Sequence, residues 1–323
     1  MNDIKLAVTM GDPAGVGPEI LCKVILDRDF SNRYNLLFVG NKKILDFTFK
    51  NVLRVKNYPS FEIVEVGDYD MAKYEPGKIS GYNGKKSIMY IAKAYNLIKK
   101  GYAQGVVTAP INKKAIKLAN LKFPGHTEYL GYLSKTSNFS MMLAGDKIKV
   151  VLVTTHIPLK DVVKNITKEK IVETIKNTKN AGKYFGNANP SIAVAGLNPH
   201  AGDCGAIGDE EEKIIIPAIE DCKKFYTNIK GPIPSDTLFS RMLNGEFDVA
   251  VVMYHDQGLI PVKMESFGSA VNVTLNLPFV RTSVDHGTAY DIAGKGVANE
   301  NSLKKAITVA YNMVKNAQSF KSI

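Results

Sequence analysis

Three of the five histidines follow predicted buried strands at similar distances. His156, His200 and His255 each lie within five residues of the carboxyl end of an apolar run. Ligands of parallel α/β sheets bind in the crevice outside those strand ends. Three imidazoles would leave a divalent ion with its full charge and open positions, suited to polarising a substrate oxygen. The pattern favours a metal site, whereas a single histidine in such a place is more often hydrogen-bonded scaffolding.

Arg281 is one of only five arginines among 42 basic residues. A guanidinium in a chain that otherwise uses lysine suggests a bidentate anion contact, which an ammonium group cannot copy. Arg281 follows a predicted strand over residues 270–275 and precedes a polar stretch that contains His286. The alternative is an ordinary surface arginine in a loop.

Length and composition are typical of a soluble globular protein, and the cysteines lead us to expect a cytoplasmic location. A chain of 323 residues can bury a sizeable core, most plausibly as two domains. No apolar run is long enough to span a bilayer, and no secretory signal is recognisable. Cys22, Cys204 and Cys222 are odd in number and widely spaced, as is typical of free thiols in a reducing cytosol.

The formal net charge of +11 comes from dispersed lysines. No basic motif with interleaved aromatic residues accompanies them, so the charge favours attraction of small anionic substrates. Nucleic acid is the weaker alternative. We therefore expect neither a nucleic-acid nor a membrane partner.

Strands and helices alternate along the whole chain. This alternation predicts an α/β fold with a largely parallel sheet. A glycine-rich turn over residues 11–17 follows the first strand, and its spacing matches neither a Walker loop nor a dinucleotide fingerprint. We interpret it as a tight turn rather than an anion-binding loop. Strands are predicted at 4–10, 36–39, 61–66, 105–110, 149–153, 191–195, 249–254 and 270–275, and helices at 83–100, 167–185, from 209, and 302–315.

Several motifs give the chain a family resemblance: Gly125-His-Thr-Glu, Asn198-Pro-His-Ala-Gly, Tyr254-His-Asp-Gln-Gly-Leu and Arg281-Thr-Ser-Val-Asp-His-Gly-Thr-Ala. With these motifs in order, it resembles the 4-hydroxythreonine-4-phosphate dehydrogenases. The loop from His286 to Gly296 also resembles that of the metal-dependent β-decarboxylating dehydrogenases. The resemblance implies a non-Rossmann, isocitrate/isopropylmalate dehydrogenase-like fold, with two α/β/α domains flanking a cleft. We expect a discontinuous first domain (1–125 and 285–323) and a second domain (126–284) that carries the metal ligands.

The resemblance also implies an activity. It is the NAD-dependent oxidation of 4-phosphooxy-L-threonine to 2-amino-3-oxo-4-phosphooxybutanoate, which decarboxylates to 3-amino-2-oxopropyl phosphate on the route to pyridoxal 5'-phosphate. The implied cofactors are NAD and one divalent ion (Zn, Mg or Co). The implied assembly is a homodimer whose active site lies at the subunit interface, so the site groups are expected to come from both chains.

Residue by residue, the resemblance assigns the following roles: metal ligands His156, His200 and His255; substrate contacts His126, Thr127, Lys263, Asn272 and Arg281; cofactor contacts His286, Gly287, Thr288, Ala289, Asp291 and Asn299. Asp291 would repel the added phosphate of NADP, so NAD is expected to be preferred. One departure from the family pattern is Asp203, where the family usually has Glu, followed by Cys204.

The sequence leaves alternatives open for the residue that accepts the proton and for the class of reaction. Lys263, Asp236 and Asp256 are candidate catalytic bases, and each could equally orient another group. A paralogous dehydrogenase would act on another phosphorylated hydroxy acid. A metal-dependent phosphatase would use similar groups but usually adds carboxylate ligands and a second metal. An acyl-phosphate transferase or binding protein would lack the three histidines.

Overall fold

The fold is given by a computed structural model, which describes residues 4–123, 125–266 and 269–320. The chain separates into two compact units. Unit 1 comprises Met1–Ser137 and Leu277–Lys315, and unit 2 comprises Asn138–Asn276 and Asn316–Ile323. The domain boundaries expected from the sequence lie elsewhere, at 125/126 and 284/285, and they stay a prediction.

The sheet strands of unit 1 pair in parallel throughout. They are β1 (Lys5–Thr9), β2 (Asn35–Gly40), β3 (Glu62–Glu65), β4 (Gly105–Thr108) and β11 (Val280–Ser283). Their order is β3-β2-β1-β4-β11. Every residue of β4 and of β11 is buried, which explains why β4 reads as a continuous apolar run in the sequence.

Helices connect these strands, as a parallel sheet requires. They are α1 (Gly17–Leu26), α2 (Arg28–Ser31), α3 (Lys42–Phe47), α4 (Gly81–Lys99), α5 (Lys113–Leu118), α6 (His126–Ser134) and α12 (Asn301–Ser319), with short helical segments at Thr48–Val52 and Met71–Lys73. The Ser80 side chain caps α4 by accepting from the Asn83 N–H. Gly84 lets α4 approach α5 closely, because a Cβ there would lie 2.2 Å from Ala115 O.

The glycine-rich turn after β1 is a tight turn, as predicted. Gly11 has φ +74°, and a Cβ on Gly17 would lie only 2.0 Å from Met10 O, so neither position tolerates a side chain. The N–H groups of the turn are used within the protein: Asp12 N donates to Pro110 O, Ala14 N to Asp12 Oδ1, and Val16 N to Thr288 O. The bond from Val16 N holds the turn against the chain that follows β11. These three N–H groups are therefore not available to bind an anion.

Unit 2 combines antiparallel and parallel pairing. Its strands are β5 (Ser140–Ala144), β6 (Lys149–Leu152), β7 (Ile192–Ala195), β8 (Ile229–Ile233), β9 (Val249–Val252) and β10 (Val271–Leu275), in the order β10-β5-β6-β9-β7-β8. Strand β5 is antiparallel to β10 and β6, and the remaining pairs are parallel. The helices are α7 (Leu159–Asn165), α8 (Lys168–Ala181), α9 (Ile216–Lys223), α10 (Ser235–Leu243) and α11 (His255–Ser266), with short segments at Gly182–Phe185, Pro199–Gly202 and Glu211–Ile215.

The strand order of unit 2 positions the candidate histidines. Strands β6, β9 and β7 are parallel neighbours, so their carboxyl ends share one edge of the sheet. An apolar core that includes Val150, Val252 and Leu259 fixes these strands and the first turns of α11. The predicted α/β class is confirmed. The Thr167 side chain caps α8, because its hydroxyl accepts from Lys170 N.

Two further predictions concern the cysteines and membrane-spanning helices. Cys22, Cys204 and Cys222 are free, in agreement with the predicted thiols. Across the described ranges, no helix has the length and apolar character needed to cross a bilayer.

Candidate functional site

His156 and His255 lie together at the shared edge of the sheet in unit 2. Their ring centres are 5.3 Å apart, which is about the separation expected for two imidazoles on one tetrahedral ion. His255 Nδ1 lies 2.7 Å from Asp256 Oδ1, so Nδ1–H donates to this carboxylate and Nε2 is the ring nitrogen left for a metal ion. Metal-binding histidines commonly have such a carboxylate partner. The pair therefore fits a divalent metal ion.

His200 lies in the loop after β7, and its side chain is exposed. The loop has positive φ at His200 (+53°), Ala201 (+54°), Asp203 (+42°) and Cys204 (+54°), a conformation that residues with a Cβ seldom adopt. Within 4–123, 125–266 and 269–320, no group of three or more His, Cys, Asp or Glu side chains could hold a metal ion. His200 is thus not grouped with the His156–His255 pair in one chain, and the three-histidine ligand set stays a prediction.

The other candidates in unit 2 lie on elements that start or end near the same edge. Asp236 is exposed in the first turn of α10, directly after β8. Asp256 and Lys263 are exposed on α11, and the carboxylate of Asp256 is engaged by His255. Asn272 is half-buried on β10, paired with Leu143 of β5. Their catalytic and binding roles remain predictions.

Arg281 lies on β11 in unit 1 and is only 3% exposed, so it is not a surface arginine. Its Nη2 donates to Thr108 Oγ1 on the adjacent strand at 2.9 Å. Burial lowers the pKa of Arg281 to about 10, with Glu128 acting in the opposite direction, so the guanidinium remains protonated at neutral pH. A buried permanent cation is expensive unless anions or dipoles surround it. This position is therefore suited to binding an anion.

His126 stands at the start of α6 and contacts the residue next to Thr108. Its Nε2 lies 3.1 Å from Ala109 O, so Nε2–H donates and Nδ1 carries the lone pair. Desolvation, and then the charge of Arg281, hold the pKa of His126 well below its ordinary value of 6.5. The fold of unit 1 thus brings a neutral imidazole near a buried guanidinium, and the roles of both as substrate contacts stay a prediction. Thr127 follows in the same helical turn.

The neutral state of His126 makes stability sensitive to acid. In the unfolded chain His126 takes up a proton near pH 6.5, whereas the folded protein resists this protonation. Stability is therefore expected to fall as the pH drops below about 6.5, because the unfolded state then binds the additional proton. Urea unfolding of wild type and His126→Gln across this range should give a steeper pH dependence for the wild type. Equal slopes would contradict the neutral imidazole.

The predicted cofactor loop, residues 286–299, is held by α1 and the turn before it. Glu19 is 2% exposed, and its carboxylate accepts from Ala298 N at 2.6 Å and from Gly296 N at 3.1 Å. Lys23 donates to the carbonyl groups of the same two residues and lies 3.2 Å from Glu19 Oε1. This ion pair, buried at Glu19 and partly exposed at Lys23, therefore holds both N–H and carbonyl groups of the loop.

A second buried carboxylate braces the beginning of the loop. Asp12 is fully buried, and its Oδ2 accepts from Tyr290 Oη at 2.8 Å. Burial raises the pKa of Asp12, whereas Tyr290 and the Ala14 N–H act in the opposite direction. Among the predicted cofactor contacts, Thr288 is buried, and Asp291 and Asn299 are exposed. Sequence reasoning did not single out Asp12, which stands in the glycine-rich turn, or Glu19, which stands in the first turn of α1 directly after it.

The fold and the site define the class of protein. It is an α/β protein with two neighbouring imidazoles beyond the ends of parallel strands, a buried arginine, and a loop after β11 that is held by Asp12 and Glu19. A model of the family described as "Pyridoxal phosphate biosynthetic protein PdxA" matches residues 28–310. The chain belongs to this family, and the expected family resemblance is confirmed.

Proteins similar to this chain are named as two different phosphate-substrate dehydrogenases. The chain is 42% identical over 316 residues to the 4-hydroxythreonine-4-phosphate dehydrogenase of Sulfurihydrogenibium sp., covering 95% of this chain and 97% of that one. It is 39% identical over 322 residues to an Oceanobacillus iheyensis protein provisionally named D-threonate 4-phosphate dehydrogenase, covering 95% and 97%. The crystal structure of 4-hydroxythreonine-4-phosphate dehydrogenase from Klebsiella pneumoniae superposes with a TM-score of 0.89 at 35% identity, covering 97% of this chain and 100% of that one.

Proposed function

We propose that this protein oxidises 4-phosphooxy-L-threonine with NAD and a divalent ion, giving 2-amino-3-oxo-4-phosphooxybutanoate. This β-keto acid decarboxylates to 3-amino-2-oxopropyl phosphate. The observation that carries the proposal is the His156–His255 pair beyond the carboxyl ends of the parallel strands β6 and β9, in a chain whose relatives are dehydrogenases. The remaining groups supply the anion contacts and the cofactor loop that this reaction needs.

Arg281 would bind an anionic group of the substrate, and His126 would contact a hydrogen-bond donor of the substrate. Arg281 supplies a fixed, desolvated charge with several N–H donors, and Thr108 holds its orientation. His126 stays neutral because its pKa is depressed, and its Nε2–H is donated to Ala109 O, so Nδ1 would accept from a hydroxyl or amino group of the substrate. Thr127, Lys263 and Asn272 would complete the substrate contacts. Such prepositioned groups align the reacting carbon and reduce the entropic cost of reaction.

The histidines would hold the divalent ion, which, when bound, acts as an electrophile toward the substrate oxygen. Asp256 fixes the tautomer of His255 through the 2.7 Å contact to Nδ1 and directs the Nε2 lone pair to ligation. The carboxylate of Asp256 is thus engaged in orientation. Asp236 and Lys263 remain the candidates for accepting the hydroxyl proton.

Residues 286–299 would hold the adenosine half of NAD, which supplies the hydride acceptor when bound. The exposed Asp291 would disfavour the additional phosphate of NADP. Glu19, Lys23 and Asp12 would not touch the cofactor but would keep its loop in place.

Glu19→Gln is expected to raise the KM for NAD about tenfold, while the KM for the phosphorylated substrate stays unchanged. A carboxamide retains one acceptor oxygen, so one loop N–H and the Lys23 ammonium lose a charged partner. Steady-state kinetics with each substrate varied in turn would measure both constants. Glu62→Gln, which removes an exposed ion pair with Lys5, is the matched control and should change neither constant. A parallel change of both KM values in Glu19→Gln would indicate general destabilisation instead.

A homodimer with a shared active site fits the exposed apolar side chains around the histidines. Ile260 and Met264 are 56% and 70% exposed on α11, the helix that begins at His255. Leu159, on the helix after His156, is 70% exposed. A second subunit that covers this surface would also supply the third histidine ligand to the His156–His255 pair. Sedimentation equilibrium should give twice the chain mass.

D-threonate 4-phosphate is the second candidate substrate, since relatives with that provisional name match this chain nearly as well. It bears a hydroxyl group where 4-phosphooxy-L-threonine bears an amine. NADH formation measured with each compound decides between them, and we expect the higher kcat/KM for 4-phosphooxy-L-threonine. A preference for the threonate would reassign the substrate. Release of inorganic phosphate without NADH would instead identify a phosphatase.

A further inference from the structure

Gln257 links three loops that carry candidate site residues in unit 2. Its side chain is 8% exposed at the start of α11. Nε2 donates to Gly196 O at 2.5 Å and to Ser235 Oγ at 2.8 Å, and Oε1 accepts from Met253 N at 2.6 Å. Gly196 follows β7, Ser235 follows β8, and Met253 follows β9. One buried amide therefore joins the chain just beyond three strand ends.

Each joined loop leads directly to a residue assigned to the chemistry. Gly196 stands four positions before His200, Ser235 is adjacent to Asp236, and Met253 stands two positions before His255. The network continues to the fourth loop, because Thr154 Oγ1 donates to Met253 O at 2.7 Å, two positions before His156. The amide thus lies at the junction of the candidate ligands.

The loop that contains His200 is held in an unfavourable backbone conformation by hydrogen bonds from outside the loop. Four of its residues with side chains have positive φ, which the local sequence does not favour. Glu211, 2% exposed, holds the preceding backbone by accepting from Leu197 N at 2.7 Å and from Asn198 N at 2.8 Å. Glu211 fixes this loop from one side. Gln257 fixes it from the side of His255.

We propose that Gln257 is a positioning residue that sets the relative placement of His200, Asp236 and His255, and thereby the affinity of the site for a divalent ion. This inference rests on the proposed metal-dependent function. An apolar side chain of similar volume would fill the same space, but it would leave Met253 N and Gly196 O without their buried partner. The three hydrogen bonds are therefore the feature to be tested.

Two variants separate positioning from packing. Gln257→Glu keeps the shape but places a carboxylate oxygen against Gly196 O, and Gln257→Leu removes all three hydrogen bonds without adding charge. Zinc binding to each protein is measured by competition with a chromophoric chelator, without substrate or NAD. The unfolding temperature of the metal-free proteins is recorded beside it, and affinities refer to the folded fraction. We expect both variants to bind zinc about 10–100-fold more weakly than wild type, the usual effect of losing an outer partner of a metal site.

The control is Gln104→Glu, which makes the same chemical change at a glutamine in unit 1 and should leave zinc affinity unchanged. Wild-type zinc affinity in a folded Gln257→Leu protein would overturn the positioning role. If Gln257→Glu does not fold, the zinc affinity of Gln257→Leu alone decides the test. A wild-type protein that binds no zinc, cobalt or magnesium would instead refute the metal-dependent function. Loss of zinc binding in His255→Ala with retention in both Gln257 variants would refute this inference alone.

Discussion

Replacing His255 with Ala is expected to abolish divalent-ion binding and reduce turnover to background, while the fold remains intact. His255 and His156 form the only pair of imidazole rings in contact among the described residues, and Asp256 orients the ring of His255. The side chain of His255 is 34% exposed and is not part of the apolar core of unit 2, so its removal should leave the fold intact. His156→Ala should have the same effect, because a single imidazole cannot replace the pair.

Metal content by atomic emission, together with the unfolding temperature, measures this outcome. His286→Ala is the matched control, since His286 belongs to the predicted cofactor loop and its Nδ1 contacts only the neighbouring Gly287 O in the hydrogen bonds described. That variant should keep its metal and show a weaker affinity for NAD. Full metal content and full activity in His255→Ala would show that the pair is scaffolding.

Arg281→Lys is expected to weaken substrate binding by about 1–3 kcal/mol, the scale of a charge-assisted hydrogen bond. The variant keeps the positive charge but loses the planar fork that binds two oxygens at once. It also loses the Nη2 contact to Thr108 that fixes the group inside unit 1. NAD affinity should hardly change, because Glu19 and Asp12 brace the cofactor loop independently of Arg281.

Isothermal titration with the phosphorylated substrate and separately with NAD would resolve the two affinities. Arg241→Lys is the control: Arg241 is paired with Glu246 at the surface, so the change should alter neither affinity. Unchanged substrate affinity in Arg281→Lys would assign the guanidinium to the core of unit 1 rather than to an anion site.

The strands that position the histidines could be predicted because their sequences are apolar on both faces. Val249–Val252 is entirely buried, and so is Ile192–Ala195. Strand β8 escaped prediction because Gly231 and Pro232 are typical of turns. It lies at the end of the strand order of unit 2, where a proline without an N–H group is tolerated.

The supporting contacts of the site could not be predicted from the sequence. Arg281 donates to Thr108, which is 173 residues away, and Glu19 binds Ala298 across 279 residues. Gln257 stands inside a motif that was recognised, yet its partner Gly196 is 61 residues distant. Residue type and local spacing identify reactive groups, whereas the groups that orient them are set by tertiary contacts.

The proposed function is tested most directly by following NADH absorbance with chelator-treated protein, NAD and 4-phosphooxy-L-threonine. We predict no NADH before a divalent ion is added and a restored rate when zinc, cobalt or magnesium is supplied. Formation of 3-amino-2-oxopropyl phosphate should match NADH mole for mole. An undiminished rate in the chelated protein would contradict the metal dependence, and the absence of NADH with every ion would contradict the dehydrogenase itself.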